Sequence, residues 1–214
     1  MFNKKYLIIT AHPDDLESAC GGLVSKIIAE KGSVTNLILV KPSTEQNPKR
    51  NAKIVKTELD KSKKVLKFRT IIYDTPLHNN GRPNLTISNN LVSFVESVAI
   101  EHDILISHNK EDYHNDHKTC FEIAQSVARK NFEQFWLLDQ YPYNLHYKKF
   151  CPNLYVDISD YVEQKKKALS CYKSYFTKES INNILTYNQY RGSFIKKNST
   201  KTFAETFKIV YSKV

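Results

Sequence analysis

Residues Thr10 to Gly22 read T-A-H-P-D-D-L-E-S-A-C-G-G, directly behind the apolar run Tyr6-Leu7-Ile8-Ile9. A turn out of a first strand needs no ionisable groups, yet His12, Asp14 and Asp15 stand there together. A second cluster, Asp112-Tyr113-His114-Asn115-Asp116-His117, comes a few residues after the apolar run Ile104–Ser107. The spacings His-x-x-Asp and His-x-x-His put donor atoms on one side of a turn or helix start, so two side chains of each cluster can reach a common point. Imidazole nitrogen with carboxylate oxygen suits Zn²⁺ or a related first-row divalent ion. Two histidines and one carboxylate leave a position open for water, whose pKa such an ion lowers to near 7. The remaining acid of the Asp14–Asp15 pair can then take the water's proton. The residues alone do not say which of the two aspartates binds and which accepts.

Each carboxylate also has a humbler use. Asp14 or Asp15 could cap the helix that follows, and Asn115 or Asp116 the next one, because side-chain oxygens bond the free N–H groups of a first turn. A cap needs one carboxylate, however, and here two adjoin a histidine at one strand end while a similar group stands at another. The joint pattern favours a metal site. Gly21-Gly22 point the same way: two glycines inside a helix cost about 1 kcal/mol each relative to alanine, so close approach of a strand or substrate is the expected compensation.

The elements that position these clusters follow from the hydrophobic pattern. Short runs rich in β-branched and aromatic residues lie at Tyr6–Thr10, Val34–Val40, Thr70–Tyr73, Ile104–Ser107, Gln134–Leu138 and Leu154–Ile158. Most are continuously apolar, as expected for strands covered on both faces. Helical patterns between them span Leu16–Glu30 with Gly32 as its C-terminal cap, a helix starting at Asn47-Pro48 and presenting Ala52, Val55, Leu59, Ser62 and Leu66 on one face, then Ser88–Glu101, Asn115–Lys130 and Asp160–Phe176. A short helix over Ser180–Tyr187 and an edge strand over Phe207–Tyr211 complete the chain. The alternation predicts an α/β fold, a Rossmann-like three-layer sandwich with a mostly parallel sheet, as one domain over residues 1–214. With strand order 3-2-1-4, both clusters face one crevice beyond the carboxyl ends of neighbouring strands.

Composition sets the limits. A charged share of 25% and a hydrophobic share of 41% over 214 residues fit a globular domain. No apolar run approaches the roughly 18 residues of a membrane span. The start, Met1-Phe2-Asn3-Lys4-Lys5, lacks a signal-peptide pattern, so the cytoplasm is expected. Cys20, Cys120, Cys151 and Cys171 form no Cys-x-x-Cys pair, which argues against sulfur-ligated zinc and a disulfide framework; each is expected buried or half-buried. The net charge of +10 favours anionic partners, but most of it is lysine along a helix face (Lys49, Lys53, Lys56, Lys61, Lys63, Lys64, Lys67), a pattern that solvation explains.

Ala11-His12-Pro13-Asp14-Asp15-x-Glu17 with Gly21-Gly22 resembles the signature of the PIG-L/LmbE family of zinc-dependent N-acetylglucosaminyl deacetylases, and Asp112-Tyr113-His114-x-Asp116-His117 resembles its second motif. Supporting matches are Glu58 with Val65-Leu66, Val156-Asp157-Ile158-Ser159, and Phe203-Ala204-Glu205-Thr206-Phe207. The resemblance implies that His12, Asp15 and His117 bind Zn²⁺ or another divalent ion and that Asp14 is the general base. It implies that His114 stabilises the oxyanion or protonates the leaving amine, and that Asp116 orients a histidine. From family position, Glu45 and Arg50 are expected as substrate contacts, with solvated surface as the alternative, and Arg191-Gly192 resembles a family pair near the pocket, which makes Arg191 a further candidate contact. The chain departs from the family pattern at Asn115, where proline is usual, at Leu23, where threonine is usual, and at Tyr172, where relatives often carry histidine.

Other candidates read more plainly. The loop His78–Pro83 is a connection or a pocket rim, His108 closes the site or caps its strand, and His102 and His146 are structural or exposed. Trp136 is core, while Tyr141, Tyr143 and Tyr147 offer rings for stacking on a sugar. The expected activity is removal of an N-acyl group, foremost acetyl, from an amino-sugar conjugate; the net charge adds, as a secondary hypothesis, a phosphate, nucleotide or other acidic group on that substrate. A small-molecule partner and no nucleic acid are expected, with homo-oligomerisation left open. Two rivals stand beside it: a metal-dependent phosphoesterase, and a basic polyanion-binding module with a vestigial site.

Overall fold

The computed structural model describes residues 2–42, 51–130, 132–145, 150–195 and 201–213. Its core is a seven-stranded sheet in the order β3-β2-β1-β4-β5-β7-β6. The strands are β1 (Lys5–Thr10), β2 (Ser33–Ile38), β3 (Arg69–Ile72), β4 (Ile104–Ser107), β5 (Gln134–Leu138), β6 (Leu154–Asp157) and β7 (Ala204–Ser212). The five strands from β3 to β5 run parallel, and only β7 opposes its neighbours. The late strand is therefore not at the edge, as the sequence suggests. It is inserted between β5 and β6, and its inner half, Ala204–Phe207, is buried.

Successive residues of β1 feed opposite layers, because side chains alternate across a strand. Tyr6 and Ile8 join Leu16, Leu23, Leu59, Ala168 and Tyr172 on one face, while Leu7 and Ile9 join Leu91, Val95, Ile123 and Val127 on the other. The first layer is built by α1 (Asp15–Ala29), α2 (Ala52–Leu66) and α5 (Val162–Leu169), the second by α3 (Asn89–Ala99) and α4 (Asn115–Ala128). A further helix, α6 (Lys178–Gly192), is much longer than its apolar pattern indicates and packs Ile181 and Ile184 on Leu169.

Local chemistry sets the helix ends. Ser88 and Asn51 cap α3 and α2 by accepting the N–H groups of Leu91 and Ile54 at 3.2 and 3.0 Å. The expected start of α2 at Asn47-Pro48 lies outside the described residues. At the end of α1 the left-handed residue is Lys31 (φ 65°), not Gly32. The N–H groups of Lys31 and Gly32 close on the carbonyls of Ile28 and Ile27 at 3.2 and 2.9 Å, a Schellman arrangement. Gly32 is needed for another reason: a Cβ there would stand 2.2 Å from the Phe2 carbonyl oxygen. Gly22 is likewise a close approach, since a Cβ would meet the Ile158 side chain at 2.7 Å.

The expected helix over Asp160–Phe176 is shorter. It breaks after Leu169 so that the chain can turn Tyr172 inward to donate its hydroxyl to the Pro13 carbonyl at 2.7 Å. The same turn brings the Ser174 N–H to the buried Glu58 carboxylate at 2.9 Å. Cys20 and Cys120 are buried and Cys171 half-buried, but Cys151 is exposed. Of the lysines expected on a solvated helix face, Lys53, Lys56, Lys61, Lys64 and Lys67 are exposed and Lys63 is half-buried; Lys49 lies outside the described residues. Among the described residues no helix is long and apolar enough to cross a membrane.

Candidate active site

The chain runs outward from β1 through β2 to β3, then returns to place β4 on the other side of β1. At that reversal the segments leaving β1 and β4 diverge and open a crevice. His12 to Asp15 leave β1 there, and Asp112 to His117 follow β4.

The two segments meet. Donor atoms of His12, Asp15 and His117 all lie within 4.8 Å of one another. His12 Nδ1 is 3.5 Å from Asp15 Oδ2, and His117 Nε2 is 3.4 Å from Asp15 Oδ1. The far nitrogen of each imidazole is held by a carboxylate: His12 Nε2 by Asp116 at 3.1 Å, and His117 Nδ1 by the buried Asp112 at 2.9 Å. Such an arrangement fixes ring orientation and leaves the other nitrogen to a ligand. His108, fully buried, stacks on the His117 ring with centroids 3.8 Å apart.

Neither of the alternative carboxylate caps forms. Asp14 stands at the cap position of α1, but its side chain makes no capping hydrogen bond. The Asp15 carboxylate instead turns back to accept the His12 N–H at 2.7 Å. At α4 the cap is His114, whose Nδ1 accepts the Asp116 N–H at 3.2 Å. In the neutral ring the proton is therefore on Nε2.

Electrostatics follow from crowded carboxylates. Burial works against a charged imidazole, but hydrogen bonds to Asp116 and Asp15 raise His12 to about 10. Against the same burial, the Asp15 charge and the Asp112 hydrogen bond raise His117 to about 9. Burial opposes ionisation of Asp15 as well, yet His117 and His108 hold it well below the usual carboxylate range; burial and the Asp15 charge push Asp14 up. Burial and the neighbouring His12 and His117 lower His114 from its ordinary value. The cluster thus carries excess negative charge that calls for a cation. Two imidazoles and one carboxylate with fixed second contacts fit a Zn²⁺-type ion, which displaces those imidazole protons on binding.

A cavity of about 650 Å³ opens over the cluster. His12, Asp14, Asp15, His114 and Asp116 form its floor, Tyr143, Tyr175 and Phe176 an aromatic wall, and Lys41 and Arg82 its cationic side. The loop His78–Pro83 is thus a rim, tied by the Gly81 N–H to the His78 carbonyl at 2.8 Å.

Residues 7–128 match the sequence model of PIG-L, described as GlcNAc-PI de-N-acetylase. The chain belongs to the PIG-L family. No curated protein matches it in sequence. Among solved structures, N,N'-diacetylchitobiose deacetylase from Pyrococcus horikoshii superposes with a TM-score of 0.77 at 18% identity, covering 97% of this chain and 84% of that one. The conserved protein TT1542 from Thermus thermophilus gives 0.78 at 19%, covering 99% and 96%. GalB, the 4-carboxy-2-hydroxymuconate hydratase from Pseudomonas putida, gives 0.79 at 15%, covering 99% and 98%. At these identities the likeness is one of fold.

In this PIG-L chain the remaining expected residues divide. Glu45, Arg50, His146 and Tyr147 lie outside the described residues. Arg191 is not in the cavity wall. Its guanidinium pairs with the buried Asp139 at 2.7 Å and donates to the Tyr187 hydroxyl at 2.9 Å, in a cluster that Asn144 and Thr206 also join. That cluster anchors the segment after β5, from which the buried Gln140 donates to Asp15 Oδ1 at 2.8 Å. Asp112 and Gln140 are the side chains hydrogen-bonded to the proposed ligands to which the sequence reading assigned no role. Asp112 stands in the second motif, and Gln140 leaves the strand next to β4, so position relative to the crevice was the available signal for both.

Proposed function

We propose that the chain is a divalent-metal-dependent N-deacylase that removes acetyl or a related acyl group from an amino-sugar conjugate. The observation that carries the reading is the convergence of His12, Asp15 and His117 donors within 4.8 Å, with Asp14, whose side chain caps no helix, beside them in a cavity wall. His12, Asp15 and His117 would hold the ion, Zn²⁺ foremost. When bound, the ion supplies Lewis acidity, polarising the amide carbonyl and bringing a water's pKa near 7.

The chain's own groups do the rest. Asp14, uncommitted to any cap and raised in pKa, accepts the proton of the attacking water and returns it to the departing nitrogen. His114, neutral at pH 7 because its pKa is lowered, presents Nε2–H to the carbonyl oxygen as negative charge develops there. Asp116 orients His12, and Asp112 orients His117. Tyr143 and Tyr175 supply rings for the sugar face, and Arg82 suits a phosphate or other acidic substituent.

Amine release from N-acetylglucosamine conjugates, neutral and phosphorylated, tests this reading. Activity should disappear with chelator and return with Zn²⁺, and salt should raise KM for the phosphorylated conjugate alone. Turnover indifferent to chelation removes the metal from the proposal. Asp112→Asn is expected to weaken zinc binding by 10- to 100-fold, because the amide no longer fixes the His117 tautomer. Competition with a zinc indicator measures it, and an unchanged Kd denies Asp112 that role.

A further inference from the structure

A second cavity of about 240 Å³ adjoins the first, and the two share Asp14, Tyr143 and Phe176. Asp14 thus forms wall on both sides. His12, His114 and Arg82 line only the larger chamber. The smaller one runs along the first turn of α1 to α6, with Pro142 and Ile184 as apolar surface.

A carbonyl carbon under attack has three substituents: its oxygen, the nitrogen carrying the sugar, and the acyl chain. With the sugar and its acidic group in the 650 Å³ chamber, and the carbon within reach of a water deprotonated by Asp14, the third substituent points past Asp14. We infer that the side cavity is the acyl subsite and that it takes chains longer than acetyl. The inference rests on the deacylase reading and names its substrate class. At about 30 Å³ per water-sized group, the side cavity holds roughly eight such groups, where acetyl contributes one methyl.

Gln140 is a rigid part of the side-cavity wall. It is 3% exposed and lines the side cavity, and its Oε1 has no hydrogen-bond partner. Its amide cannot flip to relieve this without losing the bonds from Nε2 to Asp15 and Ser18 at 2.8 and 3.2 Å. Gln140 is thereby fixed between Asp15 and the side cavity.

The test compares kcat/KM of the Zn²⁺-loaded protein on N-acetyl-, N-butanoyl-, N-hexanoyl- and N-octanoylglucosamine. The expected result is a value at least tenfold higher for butanoyl or hexanoyl than for acetyl, since each buried methylene contributes up to about fourfold. Asn183→Trp, at an exposed α6 position lining the cavity, should cut the hexanoyl-to-acetyl ratio at least tenfold. Acetyl cleaved well with longer chains tenfold poorer overturns the acyl subsite and leaves the deacylase reading standing. An unchanged ratio in Asn183→Trp also overturns the subsite. No turnover of any chain length ends both.

Discussion

Asp14→Asn is expected to lower kcat by 10²- to 10⁴-fold while leaving one zinc per chain and a thermal midpoint no lower than that of the parent. Three observations set this expectation. The Asp14 side chain makes no capping bond, so asparagine forfeits no helix contact. It lines both cavities, where a water and a substrate carbonyl would meet. Burial and the Asp15 charge already raise its pKa, so removing its charge relieves repulsion rather than creating it. Asp15→Asn should behave oppositely. Asp15 is nearly fully buried among His117, His108, Gln140 and the His12 N–H, and its loss should empty the site of metal. Metal analysis beside steady-state rates separates the two roles. If Asp14→Asn loses the ion, or keeps its rate within tenfold, the division of labour between the adjacent aspartates is wrong.

What made this site legible was topology acting on motif position. The strands β1 and β4 could be read from Tyr6–Thr10 and Ile104–Ser107 because strands buried on both faces are apolar throughout. The rule for sheet openings then placed both ionisable clusters in one crevice. The same rule covers β5, whose trailing residues Gln140 and Tyr143 reach the site; a lone glutamine carries no spacing signal. Arg191 was expected at the substrate because it is a cation near a family position, yet a buried Asp139 claims it. Charge pairing between residues 52 positions apart leaves no trace in local sequence. The inserted position of β7 was hidden similarly. Its outer half, paired with β5, alternates exposed and half-buried residues like an edge strand, while its inner half is buried and paired with β6; Phe207 alone has strand partners on both sides.

Glu205→Ala should be the most destabilising single change outside the cluster, by about 3–5 kcal/mol. Helix α1 is broken at Cys20 (φ −145°, ψ 23°), so its second half begins with N–H groups that the first half cannot satisfy. The Glu205 carboxylate, reaching in from β7, accepts them from Gly22 and Leu23 at 2.9 and 2.6 Å. Lys165 of α5 donates to the same carboxylate at 2.6 Å and to the Ser18 carbonyl at 2.9 Å. Both side chains are fully buried, so alanine at 205 leaves a cation and two N–H groups in a dry interior. At roughly 2–4 °C per kcal/mol for a chain of this size, the thermal midpoint should fall by about 6–20 °C. The double variant Lys165→Met, Glu205→Gln removes both charges while keeping an acceptor for the helix, and it should regain most of that loss. A drop below 1 kcal/mol in Glu205→Ala, read by urea unfolding, would mean that solvent reaches the pair and that the bend needs no carboxylate. The link to chemistry is geometric: the half of α1 ahead of the bend carries Asp15 and Ser18, and Lys165 grips that half at the Ser18 carbonyl. Loosening the bend should therefore weaken zinc binding in Glu205→Ala even though residue 205 touches no proposed ligand.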